Sequence, residues 1–435
     1  MSSSVIADAG GDGPLTRAWV LHPDIRSNPQ DDGARAPEHA LEEAVALADA
    51  MPGLEIIGSE VVRLPRPHPG LLFGTGKIEE LKERFAAQEI ELVLIDGPVS
   101  PVQQRNLERK LKVKILDRTG LILEIFSDRA RTREGVLQVE MAALSYQRTR
   151  LVRAWTHLER QRGGLGFVGG PGETQIEADR RAIDEQLVRL RRQLAKVVKT
   201  RELHRKSRAK VPFPIVALVG YTNAGKSTLF NRLTGAEVMA KDMLFATLDP
   251  TMRRVELPPS GFEVILSDTV GFISNLPTEL VAAFRATLEE VLSADLVLHV
   301  RDISHPETEA QAEDVNAILD SLGLSREIPL IEVLNKLDRL DPDAARAVHN
   351  TAERKADVFA VSAITGEGVA PLLEAVSEAL AGARKTEAVQ IGFEAGRKRA
   401  WLYEQGVVDE ERQTEEGYVL KVTWTAKQAA QFAKL

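Results

Sequence analysis

The run Gly220-Tyr221-Thr222-Asn223-Ala224-Gly225-Lys226-Ser227 decides the fold. It reads G-x-x-x-x-G-K-S and stands between an apolar stretch, Ile215 to Val219, and a helical pattern opening at Thr228. Strand, glycine loop and helix in that order form the context in which such a loop binds phosphate. The glycines let the backbone fold tightly enough for several N–H groups to converge on one anion, and the helix N-terminus adds its partial positive charge. In that frame Lys226 reaches the β- and γ-phosphates of a nucleotide, and the Ser227 hydroxyl holds Mg²⁺.

Further motifs follow in the order a guanine-nucleotide site needs. Asn335-Lys336-Leu337-Asp338 closes the apolar run Ile328 to Leu334. A carboxylate at Asp338 accepts two hydrogen bonds from guanine, at N1–H and the N2 amino group. Adenine lacks both donors and would leave the carboxylate unpaired. Asn335 is expected to tie this loop to the phosphate loop, and the Lys336 stem to cover a face of the base. Val361-Ser362-Ala363 ends a further apolar run, with a backbone N–H for guanine O6.

Asp268-Thr269-Val270-Gly271 follows Phe262 to Leu266. Asp268 would hold Mg²⁺ through water and the Gly271 N–H would sense the γ-phosphate, so Lys226, Gly271 and a loop threonine form the expected catalytic set. That threonine, the second metal ligand beside Ser227, is sought in Phe245-Ala246-Thr247-Leu248-Asp249-Pro250-Thr251, where Thr247 is preferred to Thr251. Phe272 stands where many GTPases place a water-orienting glutamine. Either another residue positions the water or a partner completes the site, and slow intrinsic turnover is expected. Asn223 resembles the potassium-binding asparagine of some translation-associated GTPases, which makes K⁺ an expected companion of GTP, GDP and Mg²⁺.

The chain has 435 residues, 43% apolar and 28% charged, enough for two or three domains with cores of their own. It lacks cysteine, which excludes disulfides, thiolate metal sites and cysteine nucleophiles and fits a reducing, cytoplasmic setting. No apolar run approaches the ~20 residues of a membrane span. The net charge of −8 hides an asymmetry: residues 101–210 hold 26 Lys and Arg against 13 Asp and Glu, and the rest holds 30 against 51. A basic segment in an acidic protein points to a polyanionic partner.

That segment reads as an antiparallel helical arm. Leu137, Met141, Leu144, Leu151, Trp155 and Leu158 follow helical spacing, with Arg148 at the one skipped position, and Ile183, Leu187, Leu190, Leu194 and Val197 repeat it. The outer faces are expected to carry Arg150, Arg153, Arg160, Arg162, Arg189, Arg191, Arg192, Lys196 and Lys199. The joining loop is Gly-rich with Phe167 between glycines, which suits close approach to phosphate and stacking on an unpaired base.

Strand-like runs at Ala18 to His22, Ile56 to Leu64, Leu92 to Ile95 and Val113 to Leu116 alternate with helical patterns at Glu38 to Ala50, Ile78 to Ala87 and Pro101 to Leu111. Near the C-terminus, Gly392 to Gln405 reads as helix, Gly417 to Thr425 as strand and Ala426 to Leu435 as helix. The expected class is α/β: an N-terminal α/β domain with a long antiparallel helical arm, a P-loop GTPase domain whose parallel-dominated sheet has helices on both faces, and a small α+β C-terminal domain. The expected boundaries are 1–14 for a disordered tail, 15–130, 131–210 for the arm with its tip at 163–172, 211–384 and 385–435.

The run Gly163 to Glu177 (GGLGFVGGPGETQIE), the GYTNAGKS loop, FATLDPT and DTVGFI together resemble the HflX family of ribosome-associated GTPases. The resemblance implies binding of the basic arm to the large ribosomal subunit and its rRNA, hydrolysis of GTP stimulated by the ribosome, and dissociation or rescue of stalled ribosomes, often under stress. A monomer off the ribosome and a cytoplasmic location are expected. The alternatives are a GTPase that assists tRNA modification or large-subunit assembly, and a nucleotide-dependent RNA-binding scaffold.

Overall fold

The computed structural model describes residues 15–25, 36–161, 171–208, 213–235, 244–245, 247–248, 251–258, 261–274, 276, 288, 291–325, 328–382 and 384–433. They fall into two compact units, one drawn from Met1–Ala195, Lys241–Asp249 and Asn275–Arg285, the other from Lys196–Ala240, Pro250–Ser274 and Ala286–Leu435. The expected tail, 1–14, and the arm tip up to Gly170 lie outside the described residues.

In the first unit, strands β1 (Thr16–Ile25), β2 (Leu54–Leu64), β3 (Leu92–Ile95) and β4 (Lys114–Asp117) form a four-stranded sheet in the order β2-β1-β3-β4. All of its pairings are parallel. Helices α1 (Pro37–Asp49), α2 (Thr75–Ala87) and α3 (Pro101–Leu111) make the crossovers. Leu92 to Ile95 are all buried, because crossover helices cover both faces of a parallel sheet. Helix α3 starts at a reciprocal cap: the Gln103 N–H donates to Ser100 Oγ and the Ser100 N–H to Gln103 Oε1. Helix α4 (Arg118–Arg129), missing from the sequence reading, runs on directly from β4 and buries Leu121, Ile122, Ile125 and Phe126.

Charged groups close the carboxyl ends of these strands. Arg118 lies between Glu43 Oε1 at 2.5 Å and Asp96 Oδ1 at 2.6 Å, and Asp96 Oδ2 meets His22 Nδ1 at 2.7 Å. Burial works against the Asp96 charge, but His22 and Arg118 outweigh it and hold its pKa below the usual carboxylate range.

Two long helices follow, α5 (Arg133–Gln161) and α6 (Pro171–Arg208). Arg148, thirteen residues before the end of α5, pairs through Nε with Asp184 Oδ1 at 2.8 Å, thirteen residues after the start of α6. That symmetry is the register of an antiparallel hairpin, and it explains an arginine in the apolar stripe. Leu137, Leu187 and Leu190 are buried along the stripe. Arg150 corrects the expectation of an outward face. Its Nη1 pairs with Asp117 Oδ2 at 3.1 Å and donates to Tyr146 Oη at 2.5 Å, while Tyr146 Oη itself donates to Asp117 Oδ1 at 2.6 Å. The buried Asp117 carboxylate needs a counter-charge, and Arg150 supplies it. The side chains of Trp155, Leu158, Arg153, Arg160 and Arg162 lie outside the described residues.

In the second unit, β5 (Ile215–Gly220), β6 (Thr251–Leu257), β7 (Phe262–Asp268), β8 (Leu296–Asp302), β9 (Leu330–Asn335) and β10 (Val358–Ala360) form one sheet in the order β10-β9-β8-β5-β7-β6. Every pairing is parallel except β6 with β7. Leu218 stands beside Asp268, Gly220 beside Val300, Asp302 beside Asn335 and Leu334 beside Ala360. The register thus brings the ends of five strands to one edge, where ligands of open α/β sheets bind. Helices α7 (Lys226–Thr234), α8 (Thr308–Leu322), α9 (Pro342–Glu353) and α10 (Val369–Gly382) accompany the sheet. Phe230, Leu298, Val333, Leu372 and Val376 share one of its cores.

The C-terminal residues build β11 (Arg384–Gly392), α11 (Gly396–Glu404), β12 (Val408–Thr414), β13 (Gly417–Thr425) and α12 (Ala426–Ala433), with an antiparallel sheet in the order β11-β13-β12. The sequence reading has only the last strand of the three. Residues 408–414, Val-Asp-Glu-Glu-Arg-Gln-Thr, carry no apolar alternation to reveal a strand. Arg399 donates to both Glu411 oxygens, at 3.0 and 2.8 Å, and lies 4.4 Å from the Tyr418 ring centroid.

His299, on β8 beside Val219, is 1% exposed, and its Nδ1 has no hydrogen-bond partner among the described residues. Burial, with the charges of Arg301 and Lys226 behind it, pushes its pKa down from 6.5 to about 4. The unfolded chain therefore binds a proton that the native state refuses between these values. The stabilising contribution is complete above pH ~6.5 and is lost as pH falls toward 4. His299→Leu should flatten the pH dependence of the urea midpoint between pH 6.5 and 5; an unchanged slope would show that this imidazole does not titrate on unfolding.

Candidate nucleotide site

Each motif residue takes its place from the strand it ends. Gly220 closes β5, and Lys226 and Ser227 open α7, so the amides of the loop between them gather at a helix N-terminus. Gly225 has φ +90°, and a Cβ there would overlap the Asn335 side chain. Asn223 also takes a left-handed conformation, φ 59°, which asparagine tolerates, and it is exposed.

The Lys226 amine is buried and donates to Tyr221 O at 2.8 Å and to Gly220 O at 3.2 Å. Burial, opposed by Asp268 and assisted by Lys336, brings its pKa down to about 8. An incoming phosphate would restore the favoured charge. Ser227 Oγ donates to Asp268 Oδ2 at 2.7 Å, and the Thr269 hydroxyl donates to Leu218 O at 2.6 Å, which fixes the Asp268-Thr269-Val270-Gly271 turn. The Ser227 hydroxyl and the Asp268 carboxylate are hard oxygen donors, a pair that suits Mg²⁺.

At the N-K-x-D turn, Asn335 Nδ2 donates to Ala224 O at 2.9 Å, and its Oδ1 accepts from the Ala363 N–H at 3.0 Å. Asp338 is exposed at its tip, while Ser362 Oγ donates to its Oδ1 at 2.5 Å. Lys336 has φ 71°, and its amine meets Asp302 Oδ2 at 2.8 Å. The Val361 amide donates to Leu334 O and the Ser362 amide to Glu367 O. With Ala363 committed to Asn335, a bond to an exocyclic guanine oxygen would share that N–H. Leu337 is buried and anchors a short 3-10 turn, Leu337–Arg339.

Phe245, Thr247 and Leu248 fall within the first compact unit, and Ala246 and Asp249 lie outside the described residues. Phe245 is 2% exposed with φ 56°, and its ring centroid is 4.6 Å from that of Phe126 in an edge-on contact. Burying an aromatic ring outweighs the local strain of that φ.

Three positioning groups escape a motif reading. Tyr221 Oη accepts from the Ser274 N–H at 2.7 Å. The Phe272 N–H donates to Gly220 O at 3.1 Å, and Phe272 O accepts from the Thr222 N–H at 2.7 Å. Arg232 Nε donates to Ala363 O at 2.5 Å, so α7 braces the segment after β10. Backbone pairing and a lone surface arginine leave no signature in sequence.

A phosphate loop, a D-x-x-G turn and an N-K-x-D turn at one edge of this sheet define a P-loop GTPase. Family models extend the assignment along the chain: residues 38–127 match one described as GTP-binding GTPase N-terminal, 129–208 the GTP-binding GTPase middle region, 215–336 a 50S ribosome-binding GTPase and 347–434 an HflX C-terminal domain. The GTPase HflX of Magnetococcus marinus is 51% identical over 379 residues, 87% of this chain and 86% of its own. That of Escherichia coli is 47% identical over 353 residues, 81% of this chain and 82% of its own. A GTP-binding protein of Sulfolobus solfataricus, solved in complex with GDP, is 22% identical with a TM-score of 0.46, covering 84% of this chain and 99% of that one. The chain belongs to the HflX family of GTPases. Among the described residues no helix is long and apolar enough to cross a membrane.

Asn335→Ala would leave the Ala224 carbonyl and the Ala363 amide unpaired, each at a cost of about 1–3 kcal/mol. GDP affinity measured by titration calorimetry should fall at least about tenfold. An unchanged Kd would show that the loops hold their places without this side chain.

Proposed function

We propose that this protein hydrolyses GTP on the large ribosomal subunit and dissociates or rescues stalled ribosomes, in the cytoplasm and under stress. The observation that carries the nucleotide part is the Asn335 bridge between phosphate loop and base loops, with Asp338 held by Ser362 at the exposed rim. The ribosomal part is supported by the family model over 215–336 and by the charge of α6, where Arg181, Arg189, Arg191, Arg192, Lys196 and Lys199 are exposed. Phosphate-rich RNA is the polyanion such a face fits, through release of counterions.

In this reading Asp338 accepts from guanine N1–H and the N2 amino group, and the aliphatic stem of Lys336 covers one face of the base. The loop amides leading up to Ser227 surround the phosphates, apart from that of Thr222, which donates to Phe272 O, and Lys226 turns its amine from its carbonyl partners toward the β- and γ-phosphates. Ser227 and Thr247 would hold Mg²⁺ directly and Asp268 through water; when bound, the ion neutralises charge on the phosphates. Asn223 is the side chain for a K⁺ ion. Gly271 offers its N–H to the γ-phosphate, so loss of that phosphate releases the turn and the segment around Thr247. Phe245 packed on Phe126 gives that segment a mechanical link to α4. We assign 15–130 and 131–210 to ribosome engagement, with 163–172 as the tip, 211–384 to the nucleotide and 385–435 to a small accessory domain. The protein acts as a monomer off the ribosome.

Asp338→Asn supplies a test. An amide at this position offers one donor to the C2 carbonyl of xanthine and no longer pairs both donors of guanine. In sucrose gradients of stalled ribosomes, the wild type should separate subunits with GTP and the variant with XTP, while the variant with GTP should leave the ribosomes intact. Subunits that stay joined in the wild-type and XTP-loaded variant reactions alike would contradict the splitting role, and GTP use by the variant would contradict the role of Asp338.

A further inference from the structure

None of the groups assigned so far positions the water that attacks the γ-phosphate. Phe272, at the position of a water-orienting glutamine, is 1% exposed, and its backbone is fixed at both polar atoms, to Gly220 O and to the Thr222 N–H. A phenyl ring held in this way neither donates to water nor accepts from it. Thr222, which shares that backbone bond, is 6% exposed, and its Oγ1 is buried with no hydrogen-bond partner among the described residues. Buried hydroxyls are seldom left so without a ligand or a water to complete them.

The surroundings of Thr222 say which ligand. A Cβ built on Gly271 would come within 2.8 Å of Thr222 Cα and 2.9 Å of both Thr222 Cγ2 and Lys226 Nζ. The Thr222 methyl, the D-x-x-G glycine and the phosphate-loop lysine therefore converge on one small region, and the Thr222 hydroxyl branches from the same Cβ as that methyl. The Thr222 N–H is already spent on Phe272 O, so the hydroxyl, unpaired among the described residues, is the donor this residue has left for a ligand. The Lys226 amine, by contrast, is occupied by the Gly220 and Tyr221 carbonyls until a phosphate draws it away.

We propose that the Thr222 hydroxyl contacts and orients the water that attacks the γ-phosphate of GTP, a role that rests on the GTPase reading of this site. The hydroxyl accepts one proton of the water in a hydrogen bond and donates to a γ-phosphate oxygen, which sets the water oxygen in line with phosphorus. The water oxygen forms a bond to the γ-phosphorus, the bond from that phosphorus to the β–γ bridging oxygen breaks, and its electron pair stays on GDP. The proton lost by the water ends on a phosphate oxygen, and Thr222 is unchanged. A hydroxyl is a weaker organiser than a carboxamide, which agrees with a turnover that depends on a partner to rigidify the site.

Thr222→Val keeps the shape and removes the hydroxyl; Thr222→Ser keeps the hydroxyl. Single-turnover hydrolysis of GTP should slow about a hundredfold in the valine variant, in the range expected for loss of one group aimed at the transition state. The serine variant should stay within about threefold of the wild type. Affinity for GDP should be the same in all three, whereas GDP with aluminium fluoride, which mimics the transition state, should lose affinity in the valine variant alone. A valine variant that hydrolyses at the wild-type rate would overturn the role of Thr222 and leave the GTPase reading standing. A valine variant that loses GDP affinity in proportion would assign Thr222 a purely structural part and overturn the role equally. A wild type that does not hydrolyse GTP would remove the reading and this inference together.

Discussion

Asn335 donates from Nδ2 to the carbonyl of Ala224 and accepts at Oδ1 from the amide of Ala363. One side chain, 1% exposed, thus joins loops that leave β5, β9 and β10. Neither bond is worth much alone, because folding exchanges them for bonds to water; their weight lies in the cost of leaving buried partners unpaired. Around this joint the other parts fall into place. Gly225 has no room for a Cβ because the Asn335 amide occupies that space. Arg232 holds the Ala363 carbonyl from the far side, and Ser362 turns its hydroxyl to Asp338. The glycine loop and the N-K-x-D turn are in this way parts of one rigid object.

Against that rigidity stand charges that only a ligand satisfies fully. The Lys226 amine is buried on two carbonyls with its pKa depressed to about 8, and the Asp268 carboxylate, 0% exposed, takes the Ser227 hydroxyl. Such an arrangement gives a nucleotide with its cation much to gain on entering. It also explains a turn after Gly271 that is tied to the phosphate loop at Gly220, Thr222 and Tyr221: bonds of this kind break and form as a unit when the contents of the site change.

Much of this was legible from residues alone. The glycine loop, the D-x-x-G turn and the N-K-x-D turn each follow an apolar run, and the strands are where those runs lie. The limits Leu92–Ile95 and Pro101–Leu111 agree to the residue. What was not legible has physical causes. Helix α4 follows β4 with no loop between them, and its one start signal, Asp117 capping the Gly120 N–H, is itself the last residue of the strand. Strand β12 is polar along its length and packs through its neighbours rather than through a pattern of its own. Arg150 reads as a surface cation because its partner, Asp117, lies 33 positions away in sequence. The uncommitted hydroxyl of Thr222 is visible only once the backbone around it is in place.

In the function proposed here, a guanine-nucleotide site of fixed geometry is put to work by the large ribosomal subunit. The most direct measurement is the rate of GTP hydrolysis with and without purified large subunits, for the wild type and for Lys226→Ala. Large subunits should stimulate the wild type strongly, and the substitution should abolish that stimulation. No stimulation of the wild type would contradict that function, and the basic face of α6 would then serve a different polyanion.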